Sequence, residues 1–181
     1  RMQMYLWSGQ NDLNLDIGAP INAAYATNSA SFGATNFDIT GDVVVADDGV
    51  APTTNACEAI TNNVTGKIVL VDRGTCTFAI KAAKVQAAGG IGMLLANNAP
   101  NMAPPGLGGG DPAVVIPSLS MTLENGNALK AALQTGPVTV HMKRVSGIER
   151  DGTIDNNIIS HEWGHYLHHR LVHHQIHLGP C

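Results

Sequence analysis

Residues 67–98 read KIVLVDRGTCTFAIKAAKVQAAGGIGMLLANN, and the order of elements in this stretch decides the fold. Residues 67–74 are a short run of Ile, Val and Leu closed by Asp-Arg-Gly, which reads as a buried strand. Residues 78–90 set Phe78, Ile80, Ala82, Val85 and Ala88 as the apolar positions of a helix that stops at Gly89-Gly90. Residues 91–98 read as a second strand. A strand, a helix and a second strand in this order predict a parallel pair joined by a right-handed crossover.

Working outward, residues 98–112 (NAPNMAPPGLGGGDP) carry too many breakers for anything but a loop. Residues 117–122 are strand-like and 123–136 form a second helix. Residues 137–144 close with Val138, Val140 and Met142 on one face. Upstream, FDITGDVVVADDG (37–49) is a β-branched run ending in a turn signal. Residues 51–66 read as a loop with a short helix near residues 56–60. Residues 8–36 are polar and read as mostly loop, and RMQMYLW (1–7) alternates as a strand. The sum is an α/β chain of mixed α+β character. The Gly-rich stretches do not bind phosphate on this reading: GLGGG lacks the Lys-Ser/Thr of a P-loop, and AAGGIG follows a helix instead of opening one.

Composition narrows the function. Charged residues are 13% of the 181 and the net charge is −4, with no basic run, so nucleic acid and anionic membrane surfaces are excluded as partners. No run of about 18 apolar residues exists to span a bilayer. The opening Arg1 and the absence of a leader pattern make the chain read as an excised piece of a longer protein. Cys57 and Cys76 flank a hydrophobic run, and either a disulfide worth about 3 kcal/mol or two buried thiols fits that spacing. Asn63-Val64-Thr65 matches a glycosylation sequon, a triplet common by chance.

The second informative stretch is DGTIDNNIISHEWGHYLHHRLV (151–172), a turn followed by a helix with Asp155 as its N-cap. His161 and His165 are four apart and share one helix face, the spacing of two zinc ligands. Glu162 then stands as the general base toward a zinc-activated water. A catalytic zinc needs a third protein ligand. The metzincin extension would require Gly and His where His168 and Leu171 stand, which excludes that class. His169 is about 12 Å from His161 along a straight helix. His173, His174 and His177 reach the metal only if the chain turns sharply after Val172.

Two family resemblances rest on these residues. RMQMYLW and RDGTIDNNIISHEWGHYLHHRLV resemble the catalytic domain of fungalysin-type (M36) secreted zinc metallopeptidases. That resemblance implies His161 and His165 as zinc ligands and Glu162 as the catalytic base. NACEAITNNVTGKIVLVDRGTCTFAIKAAKVQAAGGIGMLLANN, followed by VVIPSLSMTLENGNALKAAL, resembles a protease-associated domain inserted into such a peptidase. It implies an open β-barrel or sandwich flanked by helices, a Cys57–Cys76 disulfide and no catalytic residues of its own. Asp72, Arg73 and Gly74 belong to that signature, as a surface contact or as the turn that closes a strand.

The implied organisation has four parts. Residues 1–40 are a flank of the catalytic domain, 41–146 the protease-associated domain, 147–172 the HExxH helix segment and 173–181 an atypical His-rich tail. The implied function is a secreted, extracellular module that governs substrate access or protein contacts in a zinc metalloendopeptidase. Its partners are a peptide or protein substrate and the remainder of the catalytic domain. On this reading the piece alone is inactive, with zinc belonging to the parent enzyme. The other reading is an active peptidase whose third ligand comes from the tail or from sequence beyond this chain.

Overall fold

The computed structural model describes residues 6–7, 11–147, 150–151 and 156–175. Residues 1–5 of the expected first strand, the expected cap Asp155, and His177 lie outside the described residues, and of His173 and His174 only the backbone is described. The chain divides into two compact units, Asn11–Ser146 and the pair of segments Arg1–Gln10 and Gly147–Cys181.

The larger unit is built on an eight-stranded sheet. In chain order its strands are β2 (Asn11–Ile17), β3 (Ala23–Ala24), β4 (Asn28–Ser29), β5 (Phe37–Val45), β6 (Ile68–Asp72), β7 (Gly92–Ala96), β8 (Ser118–Met121) and β9 (Thr139–Ser146). Their order across the sheet is β3-β2-β9-β5-β6-β7-β8-β4. Strands β5, β6, β7 and β8 run parallel, in register Val44↔Val69, Val69↔Met93 and Met93↔Ser118. The β2, β9 and β5 part is antiparallel. Helix α1 (Phe78–Ala87) joins β6 to β7, and α2 (Leu123–Leu133) follows β8.

Burial on both faces explains why β6 and β7 are unbroken apolar runs. Alternate residues point to opposite cores. Val69, Val71, Met93 and Leu95 join Ala79, Ala82 and Val85 of α1 in one cluster. Ile68, Leu70, Leu94 and Ala96 join Leu129 and Ala132 of α2 in the other. Both helices start on a threonine cap: Thr77 accepts from the Ile80 amide at 3.4 Å and Thr122 from the Asn125 amide at 3.1 Å. Gly89, at φ +87°, ends the turn after α1. Close approach then requires Gly90, where a Cβ would stand 2.6 Å from Val85.

Residues 8–36 hold a strand that was not expected: Leu13, Leu15 and Ile17 alternate with Asp12, Asn14 and Asp16 and build β2 against β9, while loops and turns make up most of the described remainder. The short helix near residues 56–60 does not form. Ala56 sits at φ +52°, and the Cys57 amide is taken by the side chains of Asp48 (3.0 Å) and Asn55 (2.8 Å). Local side-chain acceptors outcompete the first helical turn.

The outer face of the antiparallel part carries a cross-strand charge cluster. His141 on β9 sets Nε2 2.7 Å from Asp38 on β5 and Nδ1 3.4 Å from Asp16 on β2, while Lys143 Nζ lies 2.8 Å from Asp38. The hydrogen bond to Asp38, with a smaller one to Asp16, holds the His141 imidazole above its ordinary value of 6.5. Lys143, then His141, hold the Asp38 carboxyl below its ordinary 3.8.

In the smaller unit, β1 (Leu6–Trp7) pairs antiparallel with β10 (Arg150–Asp151), with Trp7 opposite Arg150 and Leu6 opposite Asp151. The chain then continues into α3 (Asn156–Gln175). In chain order the larger unit is therefore inserted between two paired strands of the smaller one.

Two stability predictions follow from this packing. Gly126 of α2 rides on Ala96 so closely that a Cβ would lie 2.4 Å from the Ala96 Cβ. Gly126→Ala should lose about 1–2 kcal/mol in a urea titration despite its better helix propensity, and Ala96→Gly in the same chain should recover part of the loss. The raised His141 value means that its stabilisation is fully present below about pH 6.5 and is lost as pH rises through the folded-state value. Melting temperatures should therefore fall more between pH 6 and 9 for the wild type than for His141→Asn. Asp38 acts in the opposite sense: its contribution is present above pH 3.8 and disappears as pH falls through its lowered folded value.

Candidate functional site

The carboxyl ends of parallel strands are where open α/β sheets collect ligands. Here they form a rim made by the ends of β5–β8 and the loops that follow. Asp72 ends β6, and Lys130 of α2 brings its ammonium to 2.6 and 2.5 Å from the two Asp72 oxygens. Thr54 donates to the same carboxylate at 2.5 Å. Arg73 is exposed. Its guanidinium donates to Asn97 Oδ1 at 3.1 Å and lies 5.7 Å from the Phe78 ring centroid. Asn97, buried at the end of β7, also orders the following loop through the Asn98 amide at 2.9 Å. The Asn101 amide donates to Glu124 at 2.8 Å, tying the loop to the first turn of α2 and holding the Glu124 carboxyl below its usual range. Of the Asp-Arg-Gly turn, Asp72 is thus spent on internal partners and Arg73 faces outward. Gly74 fits where a Cβ would come within 3.1 Å of Asn55.

Behind the rim sits the expected disulfide: Cys57 and Cys76 are joined, with Cα atoms 5.7 Å apart. It staples the loop after β5 to the turn after β6. Beneath it is a residue that the sequence reading missed. Lys81 of α1 is fully buried, donates to the Asn55 carbonyl oxygen, and places Nζ 3.5 Å from Cys57 Sγ. The helix face differs from the expected one, since Ile80 points outward at 43% exposed and Lys81 points inward. Burial pushes the Lys81 ammonium below its usual range, opposed by the charges of Asp48 and Asp72. Asp48 is itself 4% exposed and accepts from the amides of Val50, Cys57 and Glu58. Nothing in the period of α1 marks Lys81 as inward. The only available signal is a lysine within five residues of Cys76.

A third feature is an open depression of about 550 Å³ between residues 31–35 and 110–115. Phe32 and Val114 form its buried floor, Asp111 and Pro112 stand on one wall, and Val115 is 67% exposed. One wall is the end of the breaker-rich loop, so that loop has a surface to shape.

The HEWGH residues lie on α3 in the smaller unit. His161 and His165 bring their Nε2 atoms to 3.0 Å, with ring centroids 4.5 Å apart and edge to face. Two imidazoles at about 2.0–2.1 Å from a tetrahedral zinc would stand about 3.3 Å apart, so the pair fits two ligands of one metal. Glu162 is half-buried beside them. No group of three metal-binding side chains occurs among the described residues. Among those residues no helix is long and apolar enough to cross a membrane.

The family described as PA domain matches residues 39–129. Leucine aminopeptidase 2 of Trichophyton equinum is 31% identical over 153 residues, which cover 83% of this chain and 29% of that protein. The probable lipoprotein aminopeptidase LpqL of Mycobacterium tuberculosis is 34% identical over 104 residues, 58% of this chain and 20% of its own length. Among solved structures, the zinc aminopeptidase BSAP of Bacillus subtilis superposes with a TM-score of 0.62 at 21% identity, covering 82% of this chain and 34% of that one. The subtilisin-like protease Apa1 of Pseudoalteromonas sp. AS-11 does so with a TM-score of 0.55 at 19% identity, over 78% of this chain and 35% of its own. The chain spans less than a third of the length of its first curated relatives. Their names are those of aminopeptidases and lend no support to the fungalysin resemblance of the flanking segments.

The buried Asp48 generates a prediction for the rim. Asp48→Ala would remove an acceptor from the Val50, Cys57 and Glu58 amides, leave Cys57 with Asn55 alone, and take away one of the two carboxylate charges that act on Lys81. The change should cost about 2–4 kcal/mol in chemical denaturation with the disulfide intact. Asp111→Ala in the open depression should stay within about 0.5 kcal/mol of wild type.

Proposed function

The chain belongs to the PA-domain family, and from that premise we propose that it is the protease-associated module of a secreted zinc peptidase, holding and orienting peptide or protein substrate without reacting with it. One observation carries this reading. The unit that matches the family holds no group of three metal-binding side chains among its described residues, yet it has a stapled rim with an outward Arg73 and an open depression walled by residues 31–35 and 110–115. The same fold occurs in a zinc aminopeptidase and in a subtilisin-like protease, two chemistries with nothing in common at the reacting atoms. A module shared by both serves what they share, which is a peptide chain to be held.

The relatives' names favour release of N-terminal residues over the cleavage of internal bonds expected from the flanking segments. The disulfide favours an oxidising, extracellular location. The insertion between β1 and β10 favours a host domain that continues beyond this chain.

A second reading of α3 rests on the 3.0 Å approach of His161 and His165. In it these two residues supply part of the parent's zinc site, the third ligand comes from elsewhere, and Glu162 takes up a proton beside them. Zinc held there would supply an acidified water as nucleophile.

The test uses the full-length parent enzyme, with residues 11–146 replaced by a short Gly-Ser linker between β1 and β10. The excised enzyme should keep kcat on a small chromogenic substrate within about twofold. Its KM for long peptides should rise by about tenfold, as expected when binding remote from the reacting bond is removed. Unchanged kinetics on long peptides would sink the substrate-holding role. His161→Ala or His165→Ala in the parent should lower bound zinc, measured by elemental analysis; full retention would rule out the second reading.

A further inference from the structure

We propose that the Cys57–Cys76 bridge is an exchangeable disulfide in which Cys76 is a site of S-thiolation by a small-molecule thiol of the glutathione class, while Cys57 is released as a thiolate held beside Lys81. This proposal is independent of which peptidase the module serves.

Four observations carry it. Lys81 Nζ lies 3.5 Å from Cys57 Sγ. The lysine is fully buried, so its charge acts on that sulfur with little screening by solvent. Cys57 is also held from its backbone side, its amide donating to Asp48 and Asn55. Cys57 and Cys76 are both residues of intermediate exposure, so the bridge is not sealed in the core.

In disulfide exchange the attacking thiolate and the departing sulfur lie on opposite sides of the sulfur that is attacked, and the sulfur that better bears negative charge leaves. A neighbouring ammonium stabilises a thiolate strongly. Lys81 contacts Cys57, so Cys57 is the leaving group and Cys76 the sulfur attacked. The external thiolate forms a new S–S bond to Cys76, the Cys57–Cys76 bond breaks, and its electron pair stays on Cys57. One disulfide is consumed and one is formed. The only proton released is the one the external thiol lost on ionising.

The consequence is local to the rim. The bridge staples the loop after β5 to the turn after β6, which includes Arg73. Exchange frees that turn from the loop while Lys81 keeps Cys57 in place. The adduct lies three residues from Arg73 and directly before the Thr77 cap of α1.

Helix α1 offers the competing influence. Cys76 precedes its N-terminus, and a helix N-terminus also favours a thiolate. If that effect dominated, Cys76 would leave and Cys57 would carry the adduct, so adduct position decides between the two.

The test maps the adduct on the intact, folded chain. Free thiols are first capped with N-ethylmaleimide. Reduced glutathione is then added in a short pulse, the mixture is quenched with iodoacetamide, and peptides are mapped by mass spectrometry. Glutathione on Cys76 with carbamidomethyl on Cys57 should exceed the reverse pattern by at least about fivefold. The bias should fall to about even in guanidinium, where the fold no longer holds Lys81 at the sulfur. Thr75→Val, which alters only the hydroxyl 3.9 Å from Cys57 Sγ, should keep it. Lys81→Met should bring it within about twofold of even. Should Lys81→Met fail to fold, the wild-type comparison with and without guanidinium still decides. An adduct on Cys57, an even split in the folded chain, or no adduct there overturns the proposal.

Discussion

The central constraint is that β6 and β7 are buried on both faces, so every residue from Ile68 to Val71 and from Gly92 to Ala96 must be apolar or small. Parallel neighbours need a crossover, and α1 supplies one while covering the face of Val69 and Val71. The opposite face then requires a second cover, which α2 provides through Leu129 and Ala132. Gly126 lets α2 descend onto Ala96, and Gly90 lets the chain re-enter the sheet under Val85. Once this layer is fixed, the strand ends fall on one rim. The loops there must find polar partners of their own, because no strand continues to supply them. The Asp72–Lys130 pair, the Asn97 contacts and the Asp48 cluster are those partners.

Much of this layer was legible in sequence because it obeys simple periods. The runs at 67–74 and 91–98 are too apolar for a half-exposed strand, and Gly89-Gly90 punctuates α1 where the structure stops it. Val138, Val140 and Met142 are all fully buried, as their alternation implied. Strand β2 was hidden because its inward leucines are diluted by Asn and Asp on a solvated face, so composition outweighed a real period of two. Around Ala56 the expected helix loses to Asp48 and Asn55, contacts made by residues whose proximity depends on the finished turn. Lys81 was illegible for a related reason. Its burial is stabilised by a carbonyl and by a carboxylate 33 positions upstream, and no helical period encodes either.

The candidate sites split along the same line. The approach of His161 and His165 depends only on helix geometry, and their Nε2 atoms lie 3.0 Å apart. A third ligand would depend on tertiary structure, and none of the described residues provides it. The disulfide needed the family resemblance, since spacing alone fitted two free thiols as well. What no sequence pattern announced is how the rim divides its charges. Asp72 turns inward to Lys130 and Thr54, whereas Arg73 next to it stays outside over Phe78.

The sheet of the larger unit holds that unit's own ends together. Asn11 at the start of β2 is the register partner of Ser146 at the end of β9. In the smaller unit the backbone of Trp7 on β1 is the register partner of Arg150 on β10. A disordered insert of this length would impose a loop-closure entropy that grows with its length. A folded insert whose entry and exit already sit across one strand pair imposes only that of the short connections.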